Sequence, residues 1–440
     1  MSLATPDKIR SLQRKLYGKA KAEPDYRFYL LYDKICRADI LEHAYALARD
    51  NAGAPGVDGI DFEQIEAVGV EKWLAGLRED LVSKTYRPQA VRRVTIPKPG
   101  GGERPLGIPT IRDRVAQTAA KLVQEPIFEA DFEDSAHGYR PKRSAGDAVS
   151  RVHRHLLSGH TDVVDADLSK YFDAIPHREL MQSVARRIVD RHVLHLIKMW
   201  LEAPVEERDR DGTRRMKSGK SERRGTPQGG VVSPLLANLY MNRFLKHWRL
   251  TGRGEAFQAH VVAYADDFVI LSRGFAGEAL AWTKATMAKL GLTLNEAKTS
   301  LRDARKERFD FLGYTFGPHH RTKDGRLYSG ASPSKKSVHR IKAKIGEMLK
   351  PSNVAPWPRT RQKLNRLLLG WSAYFGYGSL AKGYRDVDHT VVDHVRAFLA
   401  RRHKMQNRGA RNFSRSAIYG ELEVVSLWKH HPNPAPKASP

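Results

Sequence analysis

Apolar positions recur at helix-like intervals from residue 7 to 50, with basic residues between them, so this stretch reads as helical. Asn51 to Gly59 is a loop by its Gly and Pro content. A short helix follows, through Glu71 to Leu81. Arg92 to Pro97 has the character of a strand that enters the Gly-rich turn Lys98 to Arg104. A long helical pattern opens near Ile111. Residues 162–168 and 259–271 are β-branched runs of the kind that form buried strands, with helical patterns between and after them. No internal repeat is present. The fold class is therefore α+β: a mixed core to about residue 318, then a basic α-helical region. A Pro-rich, frayed ending runs from His430 to Pro440.

Charge sharpens this picture. The 440 residues carry 76 Lys+Arg against 49 Asp+Glu, a formal net charge of +27. From His319 to Arg415 there are 22 Lys+Arg against five acids, so that one segment supplies +17 of the excess. Its basic residues alternate with apolar and aromatic ones, as in Arg359 to Trp371, and helical spacing would give a basic face opposite an apolar stripe. A short charge run is ordinarily a solvated helix face. One this long and this poor in acids points to a polyanion, a nucleic-acid surface. With 41% hydrophobic and 28% charged residues the chain is globular rather than disordered. No apolar run approaches the ~18 residues of a membrane span. The amino terminus lacks a secretory apolar stretch, so a cytoplasmic setting is expected. A single cysteine, Cys36, excludes an internal disulfide framework or a multi-cysteine zinc site. The 18 histidines show no paired metal spacing, and His319-His320 and His430-His431 read as exposed.

Three acids stand where acids are costly. Asp167 closes one β-branched run, and Asp266 and Asp267 interrupt the other. An isolated buried carboxylate is unfavourable and adjacent ones repel, so these positions call for a cation. An Asp-Asp pair between two such runs fits a tight hairpin with carboxylates at its tip. A third carboxylate from a neighbouring strand could then hold two Mg2+ ions, which is phosphoryl-transfer chemistry. Taken alone, Asp-Asp is more often an ordinary turn.

The surrounding motifs change that balance. Tyr264-Ala-Asp-Asp267 resembles the YxDD box of reverse transcriptases, in the Ala form frequent among group II intron proteins. Asp165 to His177 is similar to the family's first palm motif. That match makes Asp167 the other metal ligand and Phe172 the steric gate against a ribose 2′-OH. Thr226 to Leu235 resembles the motif in which Gln228 helps hold template and incoming nucleotide. Gly291 to Thr299 resembles the later palm motif, whose lysine, here Lys298, is a candidate general acid for pyrophosphate release. Phe309 to Phe316 is similar to the primer-contacting segment. In the fingers, Ile96 to Pro109 resembles the segment where Lys98 and Arg104 would grip the triphosphate, a mobile ammonium and a planar fork on a Gly-rich turn. His137 to Arg143 resembles the next fingers motif, which makes Arg140 and Arg143 template contacts. Asn51 to Gly59 is similar to the amino-terminal loop that grips the template. The palm motif departs from the family at Ile175-Pro176-His177, where an Asn- or Asp-containing turn is common, so a local backbone change is expected there.

The flanks separate the subfamilies. Leu364 to Gly378 resembles the thumb, or maturase, domain of group II intron proteins. Trp371 and Phe375 read as thumb packing; Arg359, Arg361, Lys363 and Arg366 are the RNA-facing candidates. The resemblance implies a right-hand polymerase. Residues 1–60 would be a helical extension with its template-gripping loop, 61–318 fingers and palm, and 319–400 the thumb. Residues 401–440 would be a short basic segment and a candidate DNA-binding remnant. The expected activity is RNA-directed DNA polymerisation of dNTPs on an RNA template from a DNA or RNA primer. Structured intron RNA and target DNA would be further partners, for splicing and mobility. Two other readings stay open: a catalytically silent RNA-binding splicing factor, and a domesticated enzyme of phage defence, repair or CRISPR spacer acquisition.

Overall fold

The computed structural model describes residues 3–97, 102–208, 214–217, 223–321, 324–405 and 412–429. Lys98, the Gly-rich turn after it and the ending from His430 lie outside the described residues. Eleven strands are described: β1 (Val91–Pro97), β2 (Glu103–Ile108), β3 (Asp162–Asp167), β4 (Val205–Arg208), β5 (Arg214–Lys217), β6 (Ala259–Tyr264), β7 (Asp267–Ser272), β8 (Ser300–Asp303), β9 (Phe309–Phe311), β10 (Tyr314–His320) and β11 (Leu327–Pro333). They form three sheets, ordered β2-β1-β4-β5, β6-β7-β3-β8 and β11-β10-β9.

Three of the four strands of the central sheet come from the two β-branched runs, and the sheet is covered on both faces. Val164, Ala166, Val261, Phe268 and Ile270 point into the large core, packed on helices Ile111–Glu129 and Ser233–Leu250. Val163, Val262, Val269 and Leu271 point the other way, onto helix Ala145–Leu157 and the aromatic strands β9 and β10. Burial on both sides explains why these strands read as continuous apolar runs, each large side chain contributing roughly 1.5–3 kcal/mol.

The amino-terminal extension is helical as expected, over Asp7–Ala22, Tyr32–Ile35 and Ala38–Asp50. The carboxylate of Asp190 ties it down. It accepts from the Leu31 and Tyr32 amides, each at 2.9 Å, while capping helix Arg191–Leu201. Helix Val70–Ser83 and the 19-residue helix from Ile111 also match the pattern.

Two features differ from the expected layout. The basic region does not begin as helix at 319, because β10 and β11 form a hairpin across that boundary. Its alternation buries Phe316 and Ala331 against the palm-side aromatic cluster. The long helices Lys335–Met348, Trp357–Tyr374 and Ala381–Arg402 follow. They enclose a second core that includes Ile341, Ile345, Leu364, Leu368, Val391 and Val395. Residues 412–429 pack on this core. Ile418, Val424 and Leu427 are buried in it, and the buried Asp388 carboxylate accepts from Ser426 Oγ (2.8 Å), Leu427 N (2.9 Å) and Trp428 N (3.2 Å).

Candidate active site

Strands β3 and β7 run antiparallel with Asp167 opposite Asp267, and β6 pairs β7 with Tyr264 opposite Asp267. Ala265 and Asp266 alone therefore make the hairpin turn. Ala265 takes a left-handed φ of 57°, as a two-residue hairpin turn demands at its first position, at a cost of roughly 1–2 kcal/mol for an L-residue with a Cβ. The turn is braced from behind. Ala263 N donates to Ser135 O and His137 N to Ala263 O, each at 2.8 Å. The buried Gly138 lies directly against the Tyr264–Ala265 backbone, and Asn238 Nδ2 donates to Gly138 O at 2.6 Å.

Asp167 is held separately, by a loop that follows helix Ala276–Lys289. Asn295 N donates to its backbone carbonyl at 2.8 Å and Asn295 Nδ2 to its Oδ2 at 3.2 Å. Lys298 Nζ lies 3.0 Å from the same oxygen. Asp165, two residues back on β3, shares the face of Asp167 because side chains alternate along a strand.

These carboxylates are mutually destabilised. Desolvation in the cleft, then the charges of Asp266, Asp167 and Asp165, push Asp267 up to about 6, although its outer edge stays open to solvent. Burial and the Asp167 charge raise Asp266, while Arg104 and Lys298 pull it down. Burial pushes Asp165 up to about 6 against the opposing Arg302. Carboxylates that raise one another's pKa in a shared cleft, carrying unneutralised charge, fit a hard divalent cation. Lys298 is the only cation that touches Asp167 among the described ion pairs.

The nucleotide side is formed by contacts between motifs. Phe172, in the short helix Tyr171–Ala174, packs half-buried on the palm core, and its carbonyl accepts from Thr226 N at 2.7 Å. The Gln228 carbonyl accepts from Gly107 N at 2.6 Å, which joins this loop to β2 of the fingers. A cleft between them is lined by Arg93, Gly107, Asp173, Arg224, Thr226 and Gln228. At the departure Ile175-Pro176-His177, His177 Nε2 lies 2.7 Å from Gly225 O and His177 N donates to Arg223 O at 2.9 Å. The unusual turn therefore anchors the Gln228 loop. Arg104 is near enough for its charge to act on Asp266 and Tyr139. From the thumb, Tyr374 reaches the palm: its hydroxyl donates to Leu312 O at 3.0 Å, and burial, then Tyr264 and Asp267, raise its pKa.

The remaining expected residues divide. Arg140 is not a template contact. Its side chain is 3% exposed, with Nε and Nη2 on the Glu129 carboxylate and Nη1 on the carbonyls of Glu133 and Ala136. A guanidinium this buried, with four of its five N–H donors engaged, is not presented to a phosphate. Arg143 pairs with Asp134 at 2.7 Å at the surface. Arg359, Lys363 and Arg366 are exposed along one side of helix Trp357–Tyr374, opposite the buried Thr360, Leu364 and Leu368. Arg361 points elsewhere and pairs with Glu423. Phe375 is buried in the aromatic cluster. The sequence reading missed Asp165, Asn295, Gly138 and Asn238. For Asp165 the period of two along β3 was the available signal.

A palm hairpin carrying adjacent aspartates, a facing aspartate, a fingers sheet and a helical thumb define a template-directed nucleic-acid polymerase. Residues 96–316 match the family described as reverse transcriptase (RNA-dependent DNA polymerase), and residues 338–416 match the group II intron maturase-specific domain. The chain belongs to the reverse transcriptase family, with a maturase domain after its polymerase core. It is 35% identical to Protein YkfC of Escherichia coli over 344 residues, 70% of this chain and 87% of that protein. It is 36% identical to the group II intron-encoded protein LtrA of Lactococcus lactis over 223 residues, 50% of this chain and 35% of LtrA. Similarity also extends to Nuclear intron maturase 2, mitochondrial, of Arabidopsis thaliana, 28% identical over 172 residues, 32% of this chain and 23% of that protein. The matched stretch thus spans about a third of LtrA. No described helix is long and apolar enough to cross a membrane.

Proposed function

We propose that this reverse transcriptase extends a DNA or RNA primer on an RNA template, with Asp167, Asp266 and Asp267 holding two Mg2+ ions. The observation that supports this most is the register of β3 against β7, with Asp167 facing Asp267 and Asp266 at the adjoining turn. When bound, the ions supply Lewis acidity to the attacking 3′-hydroxyl and the leaving phosphate oxygen. The protein's own groups do the rest. Arg104 and Lys98 draw the dNTP triphosphate toward the palm. Phe172 packs under the sugar, and Gln228 orients the base pair from its loop. Lys298, whose ammonium lies 3.0 Å from Asp167 Oδ2, delivers a proton to the departing pyrophosphate.

The exposed thumb face of Arg359, Lys363 and Arg366 grips structured intron RNA through phosphates, the contact type that helical RNA offers. Splicing assistance and target-DNA contact extend this maturase role, in the cytoplasm of a bacterium where the lone buried Cys36 stays reduced. The test is primer extension on poly(rA)/oligo(dT) with Mg2+ and dTTP, beside the Asp266→Asn/Asp267→Asn double variant. Extension by the parent and its loss in a variant that still binds RNA are expected. A parent that binds RNA in a salt-sensitive way but never extends would overturn the polymerase reading and favour a silent splicing factor.

A further inference from the structure

Three histidines meet at the end of the palm sheet away from the catalytic turn. His155 lies in the last turn of helix Ala145–Leu157, His160 just beyond it, and His260 is the second residue of β6, an edge strand of its sheet. One ring nitrogen of each can be chosen so that all lie within 4.8 Å of one another. His155 and His260 stack at 4.1 Å with 16° between their planes, and His160 meets His260 edge-on at 4.7 Å. Nothing in the sequence spacing announces the group, because its members come from a helix end, a turn and a strand.

The chemistry of each ring suits a ligand. His160 is buried, with Nδ1 at 3.0 Å from Ser158 Oγ. That hydroxyl gives its own proton to His155 O at 3.0 Å, so it accepts from Nδ1–H and leaves the His160 Nε2 lone pair bare. Burial lowers all three imidazoles, His155 to about 4, which favours the neutral form of each ring. Arg151, Arg154 and Arg273 face the cluster and favour the same neutral state. His260 is exposed and gives an ion a way in.

We propose that His155, His160 and His260 bind a divalent transition-metal ion of the Zn2+ class, with solvent in the fourth position. An all-imidazole donor set selects such ions over Mg2+, which takes oxygen ligands. Binding turns the stacked His155 and His260 rings out of parallel and staples the helix end to the edge of the palm sheet. The nearby arginines repel the ion and hold its affinity below that of a site without them.

The test uses the full chain, stripped with chelator and then kept in excess Mg2+ so that the carboxylates are satisfied. Co2+ is titrated in, and the visible d–d bands of a four-coordinate ion are followed. One Co2+ per chain, displaced by Zn2+, is expected. Its affinity should fall about tenfold or more in His260→Ala and in His155→Ala, and stay unchanged in Asp266→Asn/Asp267→Asn. Zn2+ should raise the melting temperature of the parent but not of His260→Ala, and primer extension with Mg2+ should be equal in the two. Because His260 is exposed, its replacement leaves the core intact, and the melting curve without metal verifies this. Absence of the bands in the parent, a parental Co2+ affinity in His260→Ala, or loss of the bands in the aspartate variant instead would each overturn the proposal.

Discussion

Gly138 bears on catalysis without carrying any chemistry. A Cβ placed there would sit 2.5 Å from Ala265 N, 2.9 Å from Tyr264 C and 3.2 Å from Ala265 Cβ, whereas ordinary contact begins near 3.4 Å. Two of these neighbours are backbone atoms of the turn that presents Asp266, so no side-chain rotation can relieve the clash. In Gly138→Ala the turn must give by about 0.9 Å, or the 135–138 segment must retreat and lengthen the bonds to Ala263. Overpacking of this kind costs roughly 1–3 kcal/mol of stability. A displacement near 1 Å at a reacting centre costs on the order of a hundredfold in rate. The expected outcome is a folded protein with parental RNA affinity, a kcat for dTTP incorporation lower by about two orders of magnitude, and a raised Mg2+ requirement. Gly76→Ala, at an exposed position of helix Val70–Ser83 with open space around the new methyl, serves as control and should stabilise by about 0.5–1 kcal/mol. Parental kcat in Gly138→Ala would refute the claim that this glycine sets the position of the catalytic turn.

Three other predictions rest on separate parts of the molecule. Arg140→Ala should cost about 3–5 kcal/mol in urea unfolding, because it strands the Glu129 carboxylate, and Arg140→Lys should not restore the fork; loss of template affinity at unchanged stability would contradict this assignment. Asp267, raised from 3.8 to about 6, favours the metal-free fold below about pH 4, and that contribution disappears as pH rises through about 6. Mg2+ binds the ionised form, so it should raise the melting temperature more near about pH 8 than near about pH 5; equal gains would count against a carboxylate site. Combined Arg359→Ala, Lys363→Ala and Arg366→Ala changes should flatten the salt dependence of RNA binding by about two to three in log–log slope. Arg361→Ala, whose guanidinium is held by Glu423, should weigh more on thumb stability than on that slope.

What could be read in the chain beforehand follows a physical division. Acids inside β-branched runs are legible because two facts in one short window conflict, a buried strand and a charge, and only a cation resolves them. Asp167, Asp266 and Asp267 draw attention in this way, but it is the resemblance of the motifs around them to those of reverse transcriptases that turns an ordinary Asp-Asp turn into an expected metal site. The hairpin that joins the last two is a local structure fixed by neighbouring residues. Helix positions are similarly local, which is why the amino-terminal helices and the helix from Ile111 match the apolar period.

Residues whose meaning depends on a distant partner are opaque in the same window. Arg140 looks like any fingers arginine until Glu129 is found beside it, and burial of the pair converts a nucleic-acid contact into an internal ion pair. The basic segment from 401 onward has the composition of a tail. The buried Asp388 nevertheless accepts from its backbone at Leu427 and Trp428, and three apolar residues with no regular period, Ile418, Val424 and Leu427, are buried in the thumb core. The histidines are the extreme case: the separation between His160 and His260 is bridged only when β6 lies against helix Ala145–Leu157. Gly138 adds the remaining kind of hidden information, a residue defined by the atom it lacks. Its role follows from the space available at one turn, and no property of glycine as a letter in the sequence distinguishes it from Gly76, where a methyl group meets nothing.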